Sequence, residues 1–122
     1  MICGGDLISG ITEKCHTFDG TNWNPAMSLM TPLAEAGHTS HPMWGFVMGG
    51  GEISDDEGNV TNSVMKTDDG DTMEFLPGLP ESVNYNCLLA LDEDRLFMAG
   101  GYPQDSTNGN QNEALKKVFR SI

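Results

Sequence analysis

Three short apolar runs in this chain end on a pair of glycines: Ile2-Cys3-Gly4-Gly5, Gly45-Phe46-Val47-Met48-Gly49-Gly50 and Arg95-Leu96-Phe97-Met98-Ala99-Gly100-Gly101. The pairs close at residues 5, 50 and 101, separations of 45 and 51. A second pattern keeps the same beat. Phe18-Asp19-Gly20-Thr21-Asn22-Trp23, followed by Leu29, stands 50 residues ahead of Asp68-Asp69-Gly70-Asp71-Thr72-Met73, followed by Leu79. Two independent features on one period mean that the chain repeats a single supersecondary unit. Such a unit cannot bury its apolar face alone, so neighbouring copies must stack.

The unit reads as β-structure. Apolar segments of about six residues, bounded by glycine pairs and Asp-Gly, leave no room for the ten or more residues of an amphipathic helix. Asp19-Gly20 and Asp69-Gly70 are hairpin signals, because a tight type I′ turn needs positive φ and glycine adopts it without steric cost. Four strands per unit are expected. In the middle unit they fall near 37–42, 44–50, 63–68 and 72–77, and in the first near 2–5, 13–18 and 22–27. The third has strands near 84–91 and 95–101 and a closing segment near 114–121. That last segment has two readings. Leu115, Val118, Phe119 and Ile122 recur at helical spacing, whereas the position in the repeat requires a strand; strand is the expectation and helix the alternative.

Composition narrows the partners. Of 122 residues, 6 are basic and 18 acidic, a formal net charge of -12. So few cations cannot build the basic stripe that neutralises a row of phosphates, which argues against nucleic acid and anionic membrane surfaces and favours a basic partner. No apolar run approaches the roughly 20 residues of a membrane span, so no membrane insertion is expected. The opening Met1-Ile2-Cys3-Gly4-Gly5-Asp6 has neither the positive nor the apolar region of a secretory leader.

These residues resemble kelch repeats, the units of about 50 residues that form the blades of one class of β-propeller. The resemblance is carried by the glycine doublets at 4–5, 49–50 and 100–101, the aromatic ahead of an Asp at Phe18-Asp19, Trp23 downstream, and Gly37-His38 at the start of the middle unit. It covers nearly the whole chain. The sequence departs from the family pattern at Glu35-Ala36, where an Arg often precedes Gly-His, at Met73 in place of a Trp, and at Tyr85-Asn86 in place of Gly-His. The resemblance implies an all-β fold, an incomplete kelch-type propeller of four-stranded antiparallel blades. Its units are 1–33 (lacking the first strand), 34–82, and 83–122 (lacking the last). It also implies open outer faces, to be covered by further blades of a parent propeller or by self-association.

Cys3 and Cys15 fall on neighbouring strands of the first unit, joined by the loop 6–12. They read as a disulfide, with two buried thiols as the alternative, and Cys87 within Cys87-Leu88-Leu89-Ala90-Leu91 reads as a buried thiol. Asn59-Val60-Thr61 is a glycosylation sequon in a loop. With the disulfide and the likeness to secreted kelch-like proteins it points to an extracellular protein, cytoplasmic being the alternative. His38 and His41, three apart on a strand, face opposite ways and cannot share a metal. Neither Asp55-Asp56-Glu57 nor Asp68-Asp69-Gly70-Asp71 has the alternating order of a calcium loop, so no metal or other cofactor is expected.

No nucleophile elbow, phosphate loop or zinc-protease helix occurs. The expected function is therefore a non-catalytic interaction module. The long loops 6–12, 51–62 and 102–113 should emerge on one face beside the connections 30–36 and 78–83. Glu52, Asp55, Asp56, Glu57 and Asp105 would make that face negative and engage a protein partner, a basic one by charge, or an extracellular ligand. The alternative is a fragment of a galactose-oxidase-like or sugar-processing propeller enzyme with its active site outside this chain. In that family tyrosine, cysteine and histidine hold copper, and Tyr85 and Tyr102 lie in no matching motif.

Overall fold

The computed structural model describes residues 1–54, 59–103 and 118–120. Every regular element among them is a strand. In chain order these are β1 (Ile2–Cys3), β2 (Asp6–Leu7), β3 (Gly10–Ile11), β4 (Lys14–Phe18), β5 (Trp23–Ser28), β6 (Gly37–His41) and β7 (Gly45–Gly49). There follow β8 (Val64–Thr67), β9 (Glu74–Leu76), β10 (Val83–Asn84), β11 (Cys87–Asp92), β12 (Arg95–Ala99), β13 (Tyr102–Pro103) and β14 (Val118–Arg120). They form three main antiparallel sheets, β1-β4-β5, β6-β7-β8-β9 and β11-β12-β14, and two small pairs, β2-β3 and β10-β13.

The middle sheet is covered on both sides, and its burial pattern shows it. Neighbouring residues on a strand point to opposite faces, yet Val47 and Met48 on β7 are both buried, as are Val64 and Met65 on β8. Met48 and Met65 pack with Cys15, Leu29 and Leu33 toward the first sheet. Val47 and Val64 pack with Leu96 toward the third. The third sheet turns Leu88 and Met98, which face each other across β11 and β12, into a core with Val83. Strand β11 lies against β6. The apolar doublets Val47-Met48 and Val64-Met65 are thus the signature of a sheet sandwiched between two others.

The glycine pairs recur with nearly the same backbone. Gly4 and Gly5 have φ of 69° and 112°, Gly50 and Gly51 69° and 103°, Gly100 and Gly101 66° and 96°. The structural pair in the middle unit is therefore Gly50-Gly51; Gly49 belongs to β7. This corrects the register read from sequence by one residue. At the first glycine of the first two pairs a side chain has no room: a Cβ on Gly4 would lie 2.0 Å from the Leu33 carbonyl oxygen and one on Gly50 2.5 Å from that of Val83. That closeness lets the second glycine donate into the connection to the next sheet, Gly5 N to Leu33 O at 2.8 Å and Gly51 N to Val83 O at 2.6 Å.

Other expectations are refined. The hairpins at Asp19 and Asp69 are not two-residue type I′ turns: Phe18 pairs with Trp23, leaving four residues in the loop, and only the glycine has positive φ. The aspartate makes the turn instead. Asp19 Oδ1 accepts from the amides of Thr21 and Asn22 (2.8 Å each), and Asp69 Oδ1 from Asp71 (2.8 Å) and Thr72 (2.9 Å). Those bonds favour the ionised carboxylates, so Asp19 is held below its ordinary pKa and Asp69 is drawn down to about 2. The strand expected over 84–91 is broken by Tyr85 at φ 52° into β10 and β11. Cys87 is exposed rather than buried, because alternation along β11 sends Leu88 inward and Cys87 outward. At the end of the chain, residues 118–120 pair with β12 as a strand; the rest of the segment expected near 114–121 lies outside the described residues.

The half-cystine pair is formed. Cys3 and Cys15 face each other across β1 and β4, with Cα atoms 4.1 Å apart, and are joined as a disulfide.

Candidate binding face

Immediately after each glycine pair the chain places a polar or aromatic residue: Asp6, Glu52 and Tyr102. In the first two units the hairpin runs on through the glycine pair with a one-residue shift of register, and these residues begin the pairing beyond it. Asp6 pairs with Ile11; Glu52 pairs with Ala34 on one side and Val60 on the other; Tyr102 pairs with Asn84. The loops after the glycine pairs and the connections between sheets thus meet at one end of the sheets.

One residue beyond Ala34 and Asn84 stand Glu35 and Tyr85, the only non-glycine residues with positive φ among those described, at 57° and 52°. They are 50 residues apart and occupy equivalent places. The Tyr85 amide donates to the Glu35 carbonyl (2.8 Å). The Tyr85 hydroxyl donates to Glu35 Oε1, and Asn84 Nδ2 donates to Glu35 Oε2 at 2.8 Å. Both carboxylate oxygens are engaged, which fixes the side chain. The Tyr85 ring meets Tyr102 edge-on, centroids 6.1 Å apart. Both rings stay open to solvent, Tyr85 at 62% and Tyr102 at 43% exposure.

The electrostatics show how acidic this patch is. The hydrogen bond to Glu35 holds the Tyr85 proton most strongly; partial desolvation adds to it, and so do the charges of Glu35, Glu52 and Asp6. Together they push the phenol up to about 12. Three carboxylates, on β2, at an isolated bridge and in a connection, therefore act on one exposed aromatic. Among the described residues no group of three or more His, Cys, Asp or Glu is placed to hold a metal ion. Carboxylates acting at an open phenol ring, with a second open ring beside it, suit an organic cation, which gains both Coulomb attraction and contact with the π faces. The ion pairs of Lys66 with Asp68 and Glu74, and of Arg95 with Asp92 and Asp94, lie toward the opposite, hairpin end of the strands.

Of the binding residues expected from sequence, Glu52 lies in this patch; Asp55, Asp56, Glu57 and Asp105 fall outside the described residues. Asp6, Glu35, Tyr85 and Tyr102 were not anticipated as binding groups. The repeat itself carries the signal: sliding the chain by 50 residues superposes Glu35 on Tyr85 and Glu52 on Tyr102. Asn59 is exposed at the return of the loop that holds Glu52. His38 is exposed beside Phe46, whereas His41 is buried and stacked on Trp44 at 4.0 Å. No helix of the described residues is long and apolar enough to cross a membrane. Comparison with models of known protein families finds no match, and no curated protein matches the sequence.

Proposed function

We propose that the three sheets are blades of a kelch-type β-propeller, and that the chain serves outside the cell as a non-catalytic interaction module binding a basic segment of a protein partner. The repeated glycine pairs, the middle sheet covered on both faces and the Cys3–Cys15 disulfide support the architecture and the compartment. One observation carries the function: Glu35 holds the hydroxyl of the exposed Tyr85, whose ring meets the open Tyr102 ring edge-on, and the charges of Glu52 and Asp6 act on the same phenol. A lysine or arginine side chain laid over these rings would be attracted by carboxylates and π faces together, and the loops beside them would read the flanking residues.

A fluorescein-labelled oligoarginine peptide tests this in an anisotropy titration. Charge reversal Glu52→Lys is expected to weaken binding by about tenfold, roughly 1.4 kcal/mol, and Tyr85→Ala with Tyr102→Ala by a similar factor. Asp71→Lys, the same charge change on the distal hairpin, should leave the affinity within about twofold, since screening confines exposed charges to about 10 Å. Equal losses from Glu52→Lys and Asp71→Lys would mean that only net charge attracts the peptide and that the patch is not a site.

A further inference from the structure

We propose that Asn59 carries an N-linked glycan, rooted one residue from the bridge of Val60 to Glu52 and compatible with the fold. The inference stands independently of what that patch binds. Asn59-Val60-Thr61 has the acceptor order, with a residue other than proline in the middle. The structure adds what the motif alone leaves open. Val60 is buried at 7% exposure and bridges to Glu52, and alternation about that anchor turns Asn59 outward into solvent. Its side chain is held lightly: Nδ2 donates to Ser54 Oγ at 3.0 Å, while the Asn59 carbonyl accepts from the Ile53 amide at 3.0 Å. Independently, the Cys3–Cys15 disulfide suits folding in an oxidising compartment, and the lumen in which such sequons are read is one.

The donor is a lipid-diphosphate-linked oligosaccharide presented by the lumenal transferase. Asn59 Nδ2 bonds to the anomeric carbon of the first sugar, and the bond from that carbon to the diphosphate oxygen breaks. The lipid diphosphate leaves with the electron pair, and Nδ2 gives one proton to the transferase base. One N–H remains on the amide, enough to keep the bond to Ser54. Because Val60 bridges to Glu52, the first sugar attaches one residue from that bridge.

The test is the chain directed into the secretory pathway of a cultured animal cell. Mass spectrometry of the peptide containing Asn59 should show a glycan that peptide N-glycosidase removes, leaving Asp at 59. Asn59→Gln and Thr61→Ala should abolish it and Thr61→Ser should retain it, read on intracellular as well as secreted chains, because transfer precedes folding. The glycosylated and enzyme-trimmed forms should give superimposable far-ultraviolet circular dichroism spectra with the same β signal. An unmodified Asn59 in the oxidised chain, or a glycan surviving Thr61→Ala, would overturn the assignment. Loss of the β signal in the glycosylated form alone would overturn the compatibility with the fold.

Discussion

Glu35 and Tyr85 show how single residues depart from local preference when a repeat demands it. Both adopt a left-handed backbone that costs a non-glycine residue roughly 1–2 kcal/mol, and both lie one place beyond a bridged residue in a connection between sheets. The hydrogen bonds of Glu35 to Tyr85 and Asn84 offset that cost. A pH dependence follows. The folded phenol of Tyr85 ionises near 12 and the unfolded one near its ordinary 10. Between those values the unfolded chain has lost a proton that the folded chain keeps, so this contribution to stability is whole below pH 10 and disappears as pH rises through 12. Ultraviolet titration of a Tyr102→Phe background should show the phenolate appearing late, and Glu35→Gln should bring it earlier, because that substitution removes the charge that holds the proton. A titration unmoved by Glu35→Gln would mean that the two side chains are not coupled. Neither positive φ was legible in the sequence, since nothing local requires it; only the superposition of 35 on 85 hints at a shared geometry.

At the scale of elements, the strands followed from the sequence to within a residue or two wherever apolar runs met glycine or Asp-Gly, as for β4, β5, β6, β7 and β12. The short pairs β2-β3 and β10-β13 did not, because two residues carry no periodicity and their pairing depends on connections brought from elsewhere in the chain. The first sheet depends on its staple. The Cys3–Cys15 bond closes a span of 12 residues across a strand of only two. In the chain-entropy account it restrains the unfolded chain by roughly 3 kcal/mol. Cys3→Ala with Cys15→Ala should lower the unfolding free energy by about that amount in urea titration, and dithiothreitol should do the same to the wild-type chain. Superimposable curves with and without reductant would show that the disulfide adds nothing to the fold.

For the whole molecule, the middle sheet is satisfied and the outer two are not. The far face of the first sheet presents Ile2, Phe18 and Trp23, each more than half exposed, and that of the third presents Leu89 and Leu91 at 45% and 66%. The Phe18 and Trp23 rings lie 5.2 Å apart on a face with no sheet against it among the described residues. Apolar surface of this kind marks association or aggregation. The isolated chain is expected to self-associate or aggregate in size-exclusion chromatography with light scattering, and Leu89→Lys with Leu91→Lys to shift it toward the monomer. A monodisperse wild-type monomer with one sharp melt would show that these faces do not drive association. Leu96 is covered by Val47 and Val64 of the middle sheet, while Phe18 and Trp23 remain open.

The sequence by itself determined the all-β character, the period near 50 residues, the strands and the cysteine pair, because glycine pairs, Asp-Gly and alternation act over a few residues and leave a local trace. Tertiary structure alone decided that Gly50-Gly51 is the working pair, that Cys87 faces outward, and that Asp6, Glu35, Glu52, Tyr85 and Tyr102 share one patch. Those outcomes depend on which backbone carbonyl approaches which glycine, and on groups up to 79 residues apart in the chain, Asp6 and Tyr85, meeting across sheet connections. No local pattern encodes such distances; the stacking of one unit on the next produces them.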